Sequence, residues 1–300
     1  MTFTGILARR AATYASLVKL AHTVFAAPFA VAALLLALTR PHVPLTAGRV
    51  LAIAVCLVLG RTAAMAYNRL VDRDIDAENP RTRQREIPAG LVSPRGAALL
   101  VLFSCAGFVA SAATLGRTTA FLALPVLFVL LGYSHAKRFT WAAHLWLGVA
   151  LGLAPGGAWL AVGAAPEPGI VALMAAVATW VGGFDILYSL QDEQFDRGQG
   201  LRSIPSRFGA RGARAIARGL HLVTVTLLAA STRLLGGHAA HGLAVVLVAA
   251  LLVYEHSLVT ERADGSVDLS RIDQAFFDVN GWVSLGFGAL VAIDVLLLRR

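Results

Sequence analysis

The stretch MAYNRLVDRDIDAENPRTRQREIPAG, residues 65 to 90, is where a long apolar segment of the chain becomes acidic and then basic. Asn68, Asp72 and Asp76 follow one another at intervals of four residues, so on a helix they line one face over about two turns. Asp74 falls off that face, and we expect it to be solvated. The stretch therefore predicts a helix that ends in a polar site, with arginines directly after it.

A second stretch, DILYSLQDEQFDRGQGLRSIPSRFG at residues 185 to 209, repeats this pattern. Its last two aspartates lie 120 positions after Asp72 and Asp76, and the Ile-Pro dipeptides of the two stretches keep a similar offset of 117. On a helix, one stripe of this stretch would contain Asp185, Tyr188, Asp192 and Asp196. The chain is therefore predicted to contain two pseudo-repeated half-sites, each with a pair of carboxylates.

The composition indicates a membrane protein. The chain has 300 residues, of which 57% are hydrophobic and 14% charged, whereas soluble domains have about 25% charged residues. Apolar stretches long enough to span a bilayer lie near residues 16–38, 47–69, 93–115, 117–134, 141–163, 167–190, 211–235, 240–259 and 276–298. We therefore expect an all-α, polytopic membrane bundle of about nine transmembrane helices, forming a single domain over residues 1–300.

The formal net charge of +9 comes from basic residues in short loops between the apolar stretches. If the N-terminus is cytoplasmic, 19 of the 26 lysines and arginines lie on the cytoplasmic side. This bias places both acidic stretches toward the cytoplasm, in a protein of the bacterial inner membrane. It also explains the positive charge without nucleic acid, which we do not expect as a partner.

Clustered carboxylates at the end of a membrane helix repel one another unless a cation binds them. Mg²⁺ prefers oxygen ligands and usually takes one or two carboxylates together with phosphate oxygens of its substrate. Arginine and lysine side chains near the aspartates would bind the remaining phosphate oxygens. The pattern therefore favours a lipid diphosphate substrate. The predicted metal ligands are Asn68, Asp72, Asp76, Asp192 and Asp196, and the predicted phosphate-binding residues are Arg81, Arg85, Lys137 and Arg202.

Other ionisable residues in the apolar stretches leave alternatives open. Arg61 either contacts the substrate or forms an internal salt bridge with Asp185, and Asp185 is either a site residue or a partner in helix packing. Glu255 ends an apolar stretch and is expected to meet lipid headgroups. Asp294 is expected to extend toward the membrane surface.

At these residues the sequence resembles the UbiA superfamily of intramembrane aromatic prenyltransferases, over essentially the whole chain. The first motif of that family, NxxxDxxxD, corresponds to Asn68, Asp72 and Asp76, and the second corresponds to DILYSLQDEQFD. The segment YSHAKRFT, residues 133–140, is similar to the end of the family's fourth helix, and this similarity adds Tyr133 and Lys137. HTVFAAPFA, residues 22–30, is similar to the first helix of members in quinone pathways.

The resemblance implies a Mg²⁺-dependent transfer of a polyprenyl group from polyprenyl diphosphate to the ring of an aromatic acid, such as 4-hydroxybenzoate, in ubiquinone or menaquinone biosynthesis. It implies catalytic roles for Asp72, Asp76, Asp185, Tyr188, Asp192 and Asp196. The loop sequence REIPAG differs from the RPLPSG that is more frequent in ubiquinone-pathway members. This difference keeps 1,4-dihydroxy-6-naphthoate, from the futalosine route to menaquinone, as an alternative acceptor.

A secondary transporter is the main alternative of another class, because it would also combine a helical bundle, an internal repeat and intramembrane ionisable groups. It would place carboxylates near the middle of the bilayer, whereas here they end the apolar stretches beside arginines. Soluble isoprenyl diphosphate synthases also have two aspartate-rich motifs but do not need nine apolar stretches. An inactive lipid-binding relative would have the same fold, but the intact motifs favour an enzyme.

Overall fold

The computed structural model describes residues 12–19, 25–41, 43–262 and 266–298. Its helices are α1 (Ala27–Ala37), α2 (Ala47–Val71), α3 (Arg73–Glu78), α4 (Pro94–Leu115), α5 (Arg117–Phe139), α6 (Ala143–Ala161), α7 (Pro168–Tyr188), α8 (Glu193–Gly198), α9 (Ile204–Leu234), α10 (Ala239–Leu258) and α11 (Asn280–Ile293). A 3₁₀ turn, Ser189–Asp192, separates α7 from α8, and π-helical segments, Gln274–Val279 and Asp294–Leu298, flank α11.

Eight helical segments in the described part of the chain are long and apolar enough to cross a membrane. They match eight of the nine predicted stretches and confirm the all-α membrane fold. Two are composite, since Pro168–Gly198 joins α7, the 3₁₀ turn and α8, and Gln274–Leu298 includes both π-helical segments. The first predicted stretch contains α1, which has 11 residues, while residues 20–24 lie outside the described residues.

Contacts divide the chain into two compact units. The first contains the described residues up to position 23 together with Val50–His135. The second contains the described residues of 24–49 and 136–300. The expectation of a single domain over residues 1–300 stays a prediction.

In the first unit, packing fixes the loop that follows α3. Ile87 and Val92 of this loop form an apolar cluster with Leu17, Ala66 and Ala97. The loop ends at an N-cap for α4, where the Ser93 side chain accepts a hydrogen bond from the Gly96 N–H and Pro94 opens the helix. The C-terminal end of this arginine-containing loop is therefore fixed by packing and by the N-cap of α4.

In the second unit, α7 packs against both α6 and α9. Gly148 and Gly152 bring α6 close to the backbone of α7: a Cβ added at Gly152 would lie 2.6 Å from the Met174 carbonyl oxygen. Small residues at intervals of four allow membrane helices to approach in this way, because lipid supplies no hydrophobic drive to bring them together. α7, which bears the second acidic stretch, is thereby held tightly on one side.

A buried polar network links three helices of the second unit. Trp180 Nε1 donates to Asn280 Oδ1 at 2.7 Å, and Asn280 Nδ2 donates to Glu255 Oε1 at 2.9 Å. Glu255 is only 1% exposed, so the expectation that it meets lipid headgroups is wrong. Its hydrogen bond to Asn280 offsets part of the cost of removing a carboxylate from water.

Asp294 is also buried. The expectation that its side chain extends toward the membrane surface is therefore wrong. Its side chain is fully buried and accepts hydrogen bonds from the backbone N–H groups of His238 and His241, each at 3.1 Å. These groups belong to the N-terminal end of α10, which has no side-chain cap of its own. Asp294 supplies the missing acceptor from another part of the chain.

Candidate active site

The first half-site lies where α2 meets α3. α2 ends at Val71, and Asp72 has φ −91° and ψ 4°, outside helical geometry. The backbone hydrogen bonds nevertheless continue, because Asp72 N donates to Asn68 O at 2.9 Å and Asp76 N donates to Asp72 O at 2.7 Å. The predicted spacing of four residues therefore survives an interruption in the helix.

The carboxylates of this half-site are buried and oriented by neighbouring side chains. Asn68 Nδ2 donates to Asp72 Oδ2 at 3.0 Å, and Arg85 Nη1 donates to Asp76 Oδ1 at 2.7 Å. Asp72 and Asp76 are 2% and 3% exposed, whereas Asp74 is exposed as predicted. Asp76 Oδ2 is buried and has no hydrogen-bond partner among the described residues.

Further polar residues of the first unit surround this pair. Tyr133 interacts electrostatically with Asp72, Arg61 and Arg69. Arg61 Nη2 donates to the Lys19 carbonyl oxygen at 3.1 Å. Arg69 was not among the residues predicted from the motif, although it is buried and interacts electrostatically with Asp76. Its place in an apolar helix, directly after Asn68, was the available signal.

The second half-site departs from the predicted single stripe. α7 ends at Tyr188, and the 3₁₀ turn Ser189–Asp192 precedes α8. A 3₁₀ turn has 3.0 residues per turn instead of 3.6, so it rotates the side chains that follow relative to those before it. Asp192 and Asp196 are consequently not in the helical phase that the sequence predicts from Asp185.

Asp185 is held by a histidine that the motif did not reveal. His144 Nδ1 lies 2.7 Å from Asp185 Oδ2, and the Ile204 N–H donates to His144 Nε2 at 3.4 Å. This arrangement fits a neutral histidine that is protonated at Nδ1 and donates to the carboxylate. Asp185 therefore takes part in packing through His144, and the hydrogen bond links α6 to α7. A single histidine at the start of an apolar stretch gives no periodic signal.

The remaining acidic residues of the second half-site lie near basic and polar groups. Asp196 is buried, hydrogen-bonds with the Ser203 side chain, and interacts electrostatically with Asp192, Lys137 and His144. Ser203 also caps α9 together with Ser206. The structure thus gathers Asp192, Asp196 and Lys137 around the beginning of α9.

Tyr188 belongs to an aromatic cluster. Its ring stacks on Phe276, with the ring centroids 4.0 Å apart, and meets Phe277 edge-on at 6.2 Å. Trp180 and Phe184 precede Tyr188 at intervals of four residues on α7 and are buried, while Tyr188 is half-buried. The cluster offers aromatic faces next to the second acidic stretch.

The predicted phosphate-binding residues have different surroundings. Arg85 and Lys137 lie beside the carboxylates Asp76 and Asp196, as described above. Arg202 instead donates its backbone N–H to Lys137 O at 2.7 Å and its Nη1 to Phe139 O at 2.6 Å. The Arg81 side chain is exposed, and its backbone N–H donates to Asn79 Oδ1.

The donor set of the half-sites fits Mg²⁺ that is shared with a substrate. Within the described ranges, no group of three or more histidine, cysteine, aspartate or glutamate side chains could hold a metal ion alone. Mg²⁺ does not need such a group when phosphate oxygens and water complete its coordination. The buried, unpartnered Asp76 Oδ2 is a hard oxygen ligand of the required kind.

The fold and these half-sites define a class of protein: a polytopic, all-helical membrane protein with buried carboxylates where spanning helices end. The chain belongs to the UbiA prenyltransferase family, which matches residues 26–278, and it is a prenyltransferase. The resemblance in the two aspartate-rich motifs is thereby confirmed. The chain is an integral membrane protein, as its eight candidate spans also indicate.

Known proteins support this assignment in sequence and in structure. The 4-hydroxybenzoate octaprenyltransferase of Methylococcus capsulatus is 30% identical over 240 residues, which cover 78% of this chain and 77% of the relative. The apo structure of a UbiA homologue from Aeropyrum pernix K1 is 36% identical with a TM-score of 0.80, and 91% of this chain and 98% of that chain are covered. A UbiA homologue from Archaeoglobus fulgidus, bound to GPP and Mg²⁺, shares the fold at 19% identity and a TM-score of 0.71, with 93% and 99% covered.

Proposed function

We propose that this protein transfers a polyprenyl group from polyprenyl diphosphate to the ring of an aromatic acid, with Mg²⁺, in respiratory quinone biosynthesis. The observation that carries the proposal is the buried pair Asp72 and Asp76: Asp76 Oδ2 accepts no hydrogen bond from a described residue, while Arg85 donates to Asp76 Oδ1. Relatives named 4-hydroxybenzoate octaprenyltransferase support the same chemistry. The site faces the cytoplasm in this proposal, because the acidic stretches lie among most of the basic residues.

The two half-sites bind the diphosphate of the donor. The carboxylates of both half-sites would hold Mg²⁺, which would supply positive charge for the departing pyrophosphate. Asn68 orients Asp72 through its amide, and Arg85 and Lys137 add positive charge beside the carboxylates. Arg61, Arg81, Arg202 and Tyr133 complete the proposed substrate-binding set, and the ligands are Asn68, Asp72, Asp76, Asp192 and Asp196.

The second half-site and its aromatic cluster act on the prenyl group and the acceptor. Loss of pyrophosphate leaves an allylic cation, and the faces of Tyr188 and Phe276 stabilise it by cation–π attraction. The electron-rich ring carbon beside the acceptor hydroxyl attacks this cation and then loses its proton. Asp185 or Asp192 holds the acceptor or takes the proton. His144 keeps the Asp185 carboxylate oriented for this role.

4-Hydroxybenzoate is the acceptor that the curated relatives favour, and 1,4-dihydroxy-6-naphthoate is the second candidate because of the REIPAG loop. Both are aromatic acids with a hydroxyl that activates the ring, so the same residues would serve either. The choice between them does not change the proposed roles of the half-sites. It decides whether the product belongs to ubiquinone or menaquinone biosynthesis.

The test is prenyl transfer by the detergent-purified protein with Mg²⁺ and polyprenyl diphosphate, offering the two acceptors in parallel. Asp72→Ala is the inactive variant, and Asp74→Ala is its matched control because Asp74 is exposed and lies two residues away. We expect product from one acceptor, its loss with EDTA and with Asp72→Ala, and activity within about twofold of wild type for Asp74→Ala, as for a surface substitution.

Two other outcomes would change the proposal in different ways. Metal-dependent release of pyrophosphate without transfer to either acceptor would keep the donor site and overturn the acceptor. No pyrophosphate release with any prenyl chain length would overturn the proposed reaction at these residues. Equal loss in Asp72→Ala and Asp74→Ala would show that the assay reports general disruption of α3 and not metal binding.

A further inference from the structure

A cavity of about 560 Å³ lies in the second unit, where α5 ends and α9 begins. Phe139, Trp141 and Leu201 supply its apolar walls, and Arg202, Ser206 and Arg207 supply its polar ones. None of the described residues that line it is acidic. The cavity therefore combines a positive lining with aromatic side chains.

Two arginines line this cavity, and neither forms an ion pair with a described residue. Arg202 Nη1 donates to Phe139 O, and the Arg207 guanidinium lies over aromatic rings. By contrast, seven other described arginines have a carboxylate oxygen within 3.5 Å: Arg40, Arg73, Arg85, Arg197, Arg211, Arg214 and Arg262. The Arg207 guanidinium is thus available for an external anion.

Aromatic contacts hold one of these charges in place. The Arg207 guanidinium lies over the rings of Trp141 and Phe208, 5.8 Å and 5.4 Å from their centroids. Both rings are exposed, as is Phe139, at the ends of helices that cross the membrane. Exposed aromatic side chains at span ends are typical of the membrane–water interface, where the phosphates of lipid headgroups lie.

We propose that this cavity binds the phosphate of an anionic phospholipid, with Arg207 contacting the phosphate and Trp141 and Phe139 contacting the glycerol and upper acyl region, while Arg202 keeps its proposed place at the donor diphosphate. Arginine forks match phosphate geometry, and basic pockets between helices on the cytoplasmic side recognise anionic headgroups. The loop that carries Arg202 also follows Asp196 directly, so a bound lipid would stabilise the end of the second half-site.

The test compares lipid retention by native mass spectrometry after incubation of the detergent-purified, full-length protein with equal amounts of phosphatidylglycerol and phosphatidylcholine. We expect wild type to retain phosphatidylglycerol preferentially and Arg207→Gln to lose about fivefold in that preference, as for one basic residue near an anionic surface. Arg211→Gln is the matched control, since Arg211 lies four residues after Arg207, beyond the kink at Gly209, is 89% exposed and pairs with Glu261. An equal loss in Arg211→Gln would overturn the proposal, because it would reveal a general charge effect.

The diphosphate of the prenyl donor is the other source of the same phosphate chemistry, and kinetics separates the two. In nanodiscs that contain only phosphatidylcholine, Arg207→Gln should keep the wild-type KM for polyprenyl diphosphate. A raised KM with unchanged retention of phosphatidylglycerol would assign the cavity to the donor and overturn the lipid site. Retention needs no turnover, so it tests the lipid site even if the proposed reaction fails. Arg207→Lys, which keeps the charge without the fork, should retain an intermediate preference if the variants are folded.

Discussion

At the scale of single residues, the site is a set of buried charges whose partners are already in position. Asp76 shows this most directly, because Arg85 donates to one of its carboxylate oxygens and the other accepts no hydrogen bond from the described part of the chain. A buried carboxylate with an unused oxygen is costly unless a ligand uses it. Burial of the Asp76 carboxylate is unfavourable by itself. Binding of a cation to its second oxygen would offset this cost, so burial favours cation binding here.

Arg85→Gln should raise the KM for polyprenyl diphosphate at least about tenfold, because it removes a charged donor from a phosphate and leaves Asp76 without its partner. Arg83→Gln is the matched control: Arg83 lies in the same loop, is exposed, and its removal should change KM by less than about twofold. Steady-state kinetics with varied donor at saturating acceptor measures both. A similar KM in both variants would argue against a role for Arg85 in donor binding.

His144 and Asp185 should be energetically coupled, because each is the other's close side-chain partner in a largely buried place. We expect His144→Leu and Asp185→Leu to destabilise the protein by about 1–3 kcal/mol each. The double variant should cost less than the sum, by at least about 0.5 kcal/mol. Thermal unfolding in detergent would measure the cycle, and strict additivity would mean that the hydrogen bond contributes nothing to stability.

At the scale of helices, the length of the apolar stretches predicted most of the membrane spans but not the places where a helix is interrupted. Runs of about twenty apolar residues identify spans because every backbone polar group must be bonded within the bilayer. The 3₁₀ turn Ser189–Asp192 left no such trace, since the same residues suit a continuing α-helix. The inward orientation of Glu255 and Asp294 was also hidden, because hydropathy does not say whether a polar side chain at a span end has a buried partner.

Gly152→Ala should destabilise the protein by about 1–3 kcal/mol, because the new methyl group would press on the Met174 carbonyl of α7 and force α6 away. Gly157→Ala is the matched control in the same helix, where an added Cβ meets no atom within 4 Å. That substitution should be neutral or stabilise by up to about 1 kcal/mol, as alanine favours helix. Thermal melting of the two variants measures the difference. Equal melting temperatures would show that α6 and α7 can move apart at little cost in stability.

At the scale of the whole molecule, the repeat in the sequence predicts the positions of both half-sites, and the family supports the chemistry proposed for them. Spacing could not identify His144 or Arg69, since neither belongs to a motif, and only folding brings them beside Asp185 and Asp76. Each unit has oxygen ligands in its acidic stretch, but over the described ranges no group of three or more histidine, cysteine, aspartate or glutamate side chains could hold a metal ion alone. Metal and substrate should therefore bind together.

This cooperation predicts a specific pattern of thermal stabilisation. Mg²⁺ alone and pyrophosphate alone should each raise the melting temperature only slightly, while the two together raise it more than the sum of their separate effects. Ligands stabilise the folded protein according to their affinity for it, so the pattern reports shared coordination. Asp72→Ala should abolish the combined effect, with Asp74→Ala as control. Full stabilisation by Mg²⁺ alone would instead indicate a complete protein site.

The cap that Asp294 provides for α10 also has a consequence for how the protein is made. Asp294 follows His238 by 56 positions, so the ribosome delivers the N-terminal end of α10 to the membrane well before the residue that satisfies it. During synthesis these N–H groups must be solvated by water or by the insertion machinery. The last span therefore completes the one before it, and this corner of the protein reaches its native state only after translation has passed residue 294.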